Sequence, residues 1–342
     1  MPITSPEART RWRTLLVALL TLGLLWLFFR NLEFRDIWRA MAAAHPILIA
    51  AAVGVVFFTY FLRAYRWQAI LRPLGNARMR TAFRTTVIGF TASFLLPARV
   101  GEVLRPYLLA RQEGLKPAAT FATVIVERVL DLVTVLLLFA CSLPFLGVAV
   151  GSQVKTAGGM AAAGAIGAFA VLFVCAGHPE RLGRWITRLT GWLPAPIAHA
   201  AGRLAHVFAE GLAVMRDPGQ LLVVAFWSIP LWLSIACSIW LVSLAFDLTF
   251  SYAGSFLVMM FLVVGVATPT PGGTGGFHWM YRIAVTQFFG AHADTASAAA
   301  LVLHAVSFVP ITILGLVFMS QDGLTLGRLR DMRETARAAE MP

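Results

Sequence analysis

The sequence has little charge, and acidic residues are especially scarce. Only 13% of its 342 residues are charged and 59% are hydrophobic, against roughly 25% and 45–50% in an ordinary soluble domain. This balance excludes a soluble two-domain protein, and the hydrophobicity excludes a disordered chain. The 28 Lys and Arg against 16 Asp and Glu give a net charge of +12. Because the basic residues lie between apolar segments, they indicate a membrane rather than a nucleic acid as the partner. We therefore predict an all-α polytopic membrane protein.

Cysteines and catalytic motifs are also scarce. The three cysteines all lie inside apolar runs, at Cys141, Cys175 and Cys237. An odd number of such thiols indicates neither a disulfide framework nor a metal site. The sequence has no His-Glu-x-x-His, no Gly-x-Ser-x-Gly and no Asp-rich metal motif, which are the patterns of common hydrolytic and metal-dependent sites. We expect no enzymatic activity, no cofactor and no metal.

The apolar runs predict about six full spans and two broken segments. The spans are placed near residues 14–29, 46–62, 118–150, 157–176, 221–246 and 296–319, by the length that a bilayer requires. The segments 83–111 and 252–290 are interrupted by Pro and Gly. We interpret them as re-entrant hairpins, because broken backbone at membrane depth must be buried in protein or line a cavity. If both crossed instead, the count would be eight, and Arg105, Arg111 and Lys116 would lie outside.

The basic residues predict the orientation of a single integral membrane domain over residues 1–342. No Asp or Glu occurs between Asp36 and Glu102, whereas several arginines do, among them those at positions 63, 66, 72, 78, 80 and 84. The positive-inside rule therefore predicts that this stretch and both termini are cytoplasmic. We expect the protein to lie in the cytoplasmic membrane. The pair Arg63 and Arg66, with Trp67, is interpreted as an interfacial anchor that ends the second span.

The remaining segments are assigned by the same patterns. Residues 31–44 are expected to form a short amphipathic helix at the interface. The first half of the domain takes residues 10–150 and the second half 221–320, joined by a basic amphipathic cytoplasmic connector at 178–220. A basic cytoplasmic tail takes residues 321–342.

The two broken segments share a Pro-x-x-x-Gly pattern, at Pro97 and Gly101 and again at Pro271 and Gly275. By their flanking charges the first enters from the cytoplasm and the second from the opposite face. Interrupted segments in corresponding places of two halves point to an inverted repeat with a central binding site. The predicted break residues are Pro97, Gly101, Pro269, Pro271, Gly272, Gly273 and Gly275.

Charged residues inside a predicted span are the strongest functional signal. Glu127, Arg128 and Asp131 lie in an otherwise apolar run, and Glu127 and Asp131 share one helix face. Each such charge costs about 2.5–3.5 kcal/mol to insert and usually faces a bundle interior or a wet cavity. Two interpretations stay open, namely an ion-pair cluster with the first hairpin through Arg99 or Arg105, and a polar cavity for a charged head group.

The residues around the breaks supply the rest of the predicted site. Arg99, Glu102 and Arg105 surround the first break, where arginines and a helix N-terminus suit a lipid phosphate; nonspecific contact with interfacial phosphates is the alternative. His278 follows the second break, where a purely structural role is the alternative. The predicted head-group residues are Arg99, Glu102, Arg105, Glu127, Arg128, Asp131 and His278.

These motifs resemble a known family. The runs Pro97-x-Arg99-x-Gly101-Glu102-x-x-Arg105, Val126-Glu127-Arg128-x-x-Asp131 and Pro269-x-Pro271-Gly-Gly-x-Gly275 resemble the transmembrane region of lysylphosphatidylglycerol synthases, also called the flippase-like domain. The resemblance covers about residues 10–322. It implies the lipid-translocating part without the aminoacyl-transferase part. The family usually has an acidic residue where this sequence has His278. If the acidic residue binds an amine head group in the family, that interaction is altered here.

The resemblance and the residues together predict a flippase-like lipid translocase for a lipid with a phosphate-containing head group. The alternatives are a membrane-embedded lipid-modifying transferase and a non-catalytic membrane partner of a lipid-synthesis enzyme. Membrane lipids, either anionic phospholipids or lipid-linked phosphates, are the expected partners, and nucleic acid is not. The sequence leaves open a homo-oligomer and a cytosolic lipid-synthesis enzyme as further partners.

Overall fold

The computed structural model describes residues 34–96, 100–146, 216–268 and 270–324, with a few single positions between 19 and 23 and between 151 and 170. The four long ranges form nine α-helices. They are α1 (Phe34–Ala43), α2 (Pro46–Leu71), α3 (Met79–Leu95), α4 (Gly101–Glu113), α5 (Pro117–Ser142), α6 (Pro218–Ala245), α7 (Gly254–Val266), α8 (Gly276–Phe289) and α9 (Ala293–Gln321). Short 3₁₀ turns follow α5 and precede α8, at Leu143–Phe145 and Pro271–Gly273.

Three of the predicted spans are confirmed as helices long and apolar enough to cross a membrane, namely α2, α6 and α9. Large apolar side chains point outward from these helices, as expected where lipid replaces water. They include Phe57, Phe58, Phe61, Leu222, Phe226, Ile313 and Leu316.

The predicted span 118–150 is a helix, α5, of 26 residues. It is less apolar than the other three, because every 18-residue window of it contains Glu127, Arg128 and Asp131. The predicted spans 14–29 and 157–176 fall largely outside the described residues. So do the connector 178–220 up to residue 215 and the tail from residue 325.

Both broken segments form pairs of short helices. The first pair is α3 and α4, of 17 and 13 residues, and the second is α7 and α8, of 13 and 14 residues. Each pair stands between two long helices, so the order long helix, short pair, long helix occurs twice, over 46–142 and 218–321.

Glycines bring the two helices of each pair together in the same way. A Cβ on Gly101, the first residue of α4, would overlap the carbonyl of Gly89 in α3. A Cβ on Gly276, the first residue of α8, would come within 2.5 Å of the carbonyl oxygen of Gly265 in α7. Only glycine allows two backbones to approach this closely. Each break therefore depends on its own close contact between two glycines.

The two halves pack against each other through α2 and α6 and through α3 and α9. The hydroxyl groups of Thr59 in α2 and Ser234 in α6 lie 2.7 Å apart. Thr91 in α3 donates to the carbonyl of Ile311 in α9, at 3.3 Å, beside Gly315. These contacts bring the breaks of the two pairs to the same central region.

Candidate functional site

Seven charged side chains from three helices meet beside the first break, and we call them the charge cluster. Helix α2 contributes Arg63 and Arg66, α4 contributes Glu102 and Arg105, and α5 contributes Glu127, Arg128 and Asp131. The cluster thus contains four arginines and three carboxylates. Its core is buried, since the side chains of Arg66 and Glu127 are fully inaccessible.

Glu127 stands at the centre of the charge cluster. Its Oε1 accepts a hydrogen bond of 3.0 Å from Arg105 Nη1. The same oxygen lies 3.6 Å from Arg63 Nη1, 3.7 Å from Arg66 Nη2 and 3.8 Å from Arg128 Nη2. One buried carboxylate oxygen therefore compensates parts of four positive charges.

Asp131 lies one helical turn further along α5, on the same face as Glu127. Its Oδ1 is 2.7 Å from Arg66 Nη1 and also accepts a hydrogen bond of 3.0 Å from the indole of Trp232 in α6. Its Oδ2 is 3.4 Å from Arg128 Nη1 and 3.8 Å from Arg63 Nη1. Asp131 therefore joins the charge cluster to the second half of the chain.

Neutral side chains hold the two most deeply buried arginines in place. Arg66 Nη1 donates to the hydroxyl of Ser228 in α6 at 2.9 Å. The guanidinium of Arg105 lies 3.8 Å from the ring centroid of Trp67, and Trp67 in turn donates to Thr123 at 3.0 Å. Stacking on an aromatic face and hydrogen bonds to hydroxyls are the usual means of stabilising a desolvated guanidinium.

A cavity of about 150 Å³ lies next to the charge cluster and between the two breaks. The first pair lines it with residues that include Phe90, Ser93, Gly101 and Glu102, and the second break with residues that include Thr270, Gly272 and Gly273. Arg128 forms part of the wall, with 39% of its side chain exposed. Its Nε lies 4.0 Å from Glu102 Oε1.

The second break is a tight glycine turn. Gly272, Gly273 and Gly275 have φ values of 61°, 67° and 87°, the left-handed region that favours glycine. The ring of Phe94 from α3 lies so close to Gly272 that a Cβ there would overlap it. Phe94 also stacks on Phe308 of α9, with ring centroids 4.7 Å apart. The two breaks and α9 therefore enclose the cavity together.

His278 is buried against the second break rather than on the cavity wall. Its Nδ1 accepts a hydrogen bond from the backbone N–H of Gly275 at 3.3 Å, which caps α8. Its ring lies 4.6 Å from that of His304 in α9, whose Nε2 contacts the carbonyl oxygen of Gly272 at 3.1 Å. The predicted contact of His278 with a head group stays a prediction, because its visible bond is to the break itself.

The structure brings most of the predicted head-group residues together. Glu102, Arg105, Glu127, Arg128 and Asp131 all belong to the charge cluster. The ion pair between Arg105 and Glu127 is the link expected under one of the two interpretations, an ion-pair cluster that joins α5 to the first broken segment. Of the predicted break residues, Gly101, Gly272 and Gly273 line the cavity, and Pro271 and Gly275 flank them. Arg99, Pro97 and Pro269 lie outside the described residues.

The interpretation of Arg63, Arg66 and Trp67 as an interfacial anchor is wrong. Helix α2 does not end at Leu62 but continues to Leu71, and all three side chains are buried in it. The arginines are drawn inward because the two buried carboxylates of α5 need more positive charge than Arg128, the one arginine of that helix, supplies. Their spacing of three residues, which puts both on one helix face, was the sequence signal for this role.

No group of three or more His, Cys, Asp or Glu is placed to bind a metal ion within the described ranges. The described side chains around the cavity include guanidinium and hydroxyl groups, which suit an anion with several oxygen atoms.

Comparison with known proteins gives the family. The family described as the lysylphosphatidylglycerol synthase TM region matches residues 14–315. A protein of Haloferax volcanii named glycosyltransferase AglD is 32% identical over 123 residues, which are 35% of this chain and only 19% of that relative. A UPF0104 membrane protein of Methanothermobacter thermautotrophicus is 22% identical over 308 residues, which are 84% of this chain and 89% of the relative. The family match covers most of the chain, so this membrane protein belongs to the lysylphosphatidylglycerol synthase transmembrane-region family.

Proposed function

We propose that the protein is a lipid translocase that moves a phospholipid, or another lipid with a phosphate-containing head group, across the cytoplasmic membrane. The observation that carries the proposal is the cavity between two helix breaks, with Arg128 in its wall and the charge cluster behind it. Membership of a lipid-related membrane family supports the same conclusion.

The chemistry of the cavity suits a phosphate. A guanidinium donates parallel hydrogen bonds to two phosphate oxygens, and such charge-assisted bonds are about twice as strong as neutral ones. Ser93 lines the same cavity and has a hydroxyl donor of the kind that phosphate oxygens accept, whereas the hydroxyl of Thr270 donates to the carbonyl of Thr274 at 2.9 Å. A head group bound here would therefore be recognised mainly through its phosphate.

The size of the cavity favours a head group over a whole lipid. A volume of about 150 Å³ equals that of about five water molecules, so the acyl chains must stay in the bilayer. We infer that the head group passes through the protein while its chains follow along the apolar outer face. We expect lipid asymmetry or an ion gradient to drive net movement.

The repeated order of helices supports two opposed re-entrant pairs. Residues 46–142 and 218–321 each contain a long helix, a short pair and a second long helix, and each pair has the glycine contact described above. Transporters of this plan place their site where the broken helices of two inverted repeats meet. The basic residues near the α2–α3 and α4–α5 junctions support a cytoplasmic location for these ends.

The opposed orientation has its own test. Single cysteines are introduced at the exposed positions Asn76, between α2 and α3 at the base of the first pair, and His292, between α8 and α9 at the base of the second. They are placed in a cysteine-free background and labelled with a membrane-impermeant maleimide from one side of the membrane at a time. We expect the two positions to label from opposite faces. Labelling of both from the same face contradicts the inverted repeat.

The translocase proposal is tested by reconstituting the purified protein into liposomes that contain a fluorescent phospholipid. Dithionite quenching then measures how fast the label moves between leaflets. We expect faster movement than in protein-free liposomes for at least one anionic, zwitterionic or polyprenyl-phosphate lipid. Rates equal to those of protein-free liposomes for all three classes overturn the proposal.

A second candidate is a membrane-embedded transferase that acts on a lipid, and the similarity to a protein named a glycosyltransferase is the observation that favours it. In this case the buried carboxylates would take part in proton transfer. Turnover of a lipid substrate by the purified protein, lost in Glu127→Gln, would support this candidate over the translocase.

A further inference from the structure

The four arginines of the charge cluster differ in how well they are compensated. Arg66 lies 2.7 Å from Asp131 and Arg105 lies 3.0 Å from Glu127, so each has a close carboxylate of its own. The nearest carboxylate oxygens to Arg63 are 3.6 and 3.8 Å away. Its Nε and Nη1 make no hydrogen bond to any described residue, although only 9% of its side chain is exposed.

A buried guanidinium whose ion pairs are all longer than 3.5 Å stands out in the charge cluster. Nearly all buried donors have a hydrogen-bond acceptor, and a buried donor without one costs about 1–3 kcal/mol, more when it is charged. Arg66 and Arg105 also have buried nitrogens without a hydrogen bond to a described residue, as does Glu127 Oε2, but each of these two arginines has one carboxylate oxygen within 3.0 Å, whereas Arg63 has none within 3.5 Å. Arg63 is therefore a cation that lacks a close acceptor of its own among the described residues.

One aromatic ring stands between Arg63 and the cavity. The guanidinium carbon of Arg63 lies 4.8 Å from the ring centroid of Phe90, and Phe90 lines the cavity. The rings of Phe90 and Tyr60 pack edge to face, with centroids 5.2 Å apart. The ring of Phe90 therefore contacts Arg63 and also lines the cavity.

Arg63 is also close to the arginine that already lines the cavity. Nitrogen atoms of Arg63 and Arg128 lie 3.8 and 3.4 Å from the same atom, Asp131 Oδ2. Both residues also lie within 3.8 Å of Glu127 Oε1. Two guanidinium groups this close can donate to different oxygens of one phosphate, at the roughly 2.8 Å of charge-assisted hydrogen bonds.

We propose that Arg63 is a second ligand for the lipid phosphate and that Phe90 is a shutter between Arg63 and the cavity. The phosphate first binds Arg128, Phe90 then turns aside, and Arg63 donates to a second phosphate oxygen. With the shutter closed, the ring keeps water from the buried ion pairs, which are stronger at low dielectric. This inference rests on the proposed function, because it assigns the ligands of the same head-group site.

The test is the binding of a soluble short-chain phosphatidylglycerol to the purified full chain in detergent, followed by isothermal titration calorimetry. Phe90→Ala removes the shutter and should lower the Kd roughly tenfold, the effect of one added charge-assisted hydrogen bond. Phe90→Leu keeps an apolar side chain over Arg63 and should bind as the wild type does. Short-chain diacylglycerol, which has no phosphate, should bind no better to any variant.

Arg63→Gln completes a double-mutant cycle with Phe90→Ala. We expect the gain from Phe90→Ala to disappear in the double variant, because that gain requires the guanidinium. Arg63→Lys retains the charge at this buried position, and should keep part of the gain if Arg63→Gln fails to fold. Weaker or unchanged binding by Phe90→Ala, or an equal gain with and without Arg63, overturns the proposal.

The outcomes separate this inference from the translocase proposal. If Phe90→Ala binds phosphatidylglycerol tenfold more tightly and this gain in affinity requires Arg63, but the wild type moves no lipid in liposomes, the phosphate site is supported and the translocase proposal is refuted. If the wild type moves lipid but Phe90→Ala binds no more tightly, the translocase proposal is supported and the proposed role of Phe90 is refuted.

Discussion

Replacing Glu127 with Gln removes the negative charge at the centre of the charge cluster while keeping the shape of the side chain. Four guanidinium groups lie 3.0–3.8 Å from Oε1 of this residue. At an effective dielectric constant of 20, one unit charge pair at such a distance contributes about 4–5 kcal/mol. Four such contributions exceed the whole stability of a typical domain, about 5–15 kcal/mol. Desolvation of the guanidinium groups and their mutual repulsion must therefore offset most of this attraction.

The net destabilisation by Glu127→Gln is better judged from other buried ion pairs. Removal of one partner of such a pair costs about 3–5 kcal/mol of stability. We expect Glu127→Gln to lower the free energy of unfolding by this amount, measured by equilibrium unfolding in mixed detergent micelles. Adding Arg105→Gln should recover part of the loss, since one uncompensated charge is then removed.

The control is a solvent-exposed pair. Arg39 and Asp36 lie 3.0 Å apart with side chains 60% and 40% exposed, and Asp36→Asn should cost less than about 1 kcal/mol. A cost for Glu127→Gln no larger than that of this control would refute the reasoning, because the central carboxylate would then not be holding the arginines.

Two further predictions concern the helices that frame the site. Gly101→Ala places a Cβ against the carbonyl of the facing helix and should lower the free energy of unfolding by about 1–3 kcal/mol. Gly54→Ala, at an open position in α2, should raise it by up to about 1 kcal/mol; equal effects of the two would contradict the close approach. The side chain of Asp217 accepts hydrogen bonds from the backbone N–H groups of Gly219 and Gln220, so Asp217→Ala should cost about 1 kcal/mol, and no change in the unfolding midpoint would count against this cap.

Much of the fold follows from the pattern of apolar and broken segments. The spans α2, α6 and α9 stand out because their apolar runs are long, and the two helix pairs because Pro and Gly interrupt theirs. The starts and ends were predicted less well. Helix α3 begins at Met79 rather than near residue 83, since Arg80 and Arg84 are polar but good helix formers.

The candidate site was predicted where charge is out of place in an apolar run. This pattern identifies Glu127, Arg128 and Asp131, but it leaves Arg99 and Arg105 both open as their partner and an ion-pair cluster and a head-group cavity both open as their role. Arg63 and Arg66 are wrongly predicted as an interfacial anchor, because two arginines near the end of an apolar run form the same sequence pattern whether they lie at the interface or in buried ion pairs. Only the packing of α2 against α5 distinguishes the two.

The shape of the site could not be derived from the sequence. The cavity depends on Phe94 lying against Gly272, a contact between residues far apart in the chain. The role of Phe90 likewise depends on Arg63 stacking on its ring. Such contacts are set by tertiary packing rather than by local pattern.

The central claim is that Arg128 recognises a lipid phosphate in the cavity between the two breaks. The most direct measurement compares the transbilayer movement of fluorescent phosphatidylglycerol in liposomes with the wild type, with Arg128→Gln and with Arg80→Gln, an exposed arginine away from the cavity. We expect Arg128→Gln to slow movement at least about tenfold, the loss of one charge-assisted phosphate contact, while Arg80→Gln moves lipid as fast as the wild type. Equal rates for Arg128→Gln and the wild type, with both proteins folded, would show that Arg128 does not recognise the phosphate.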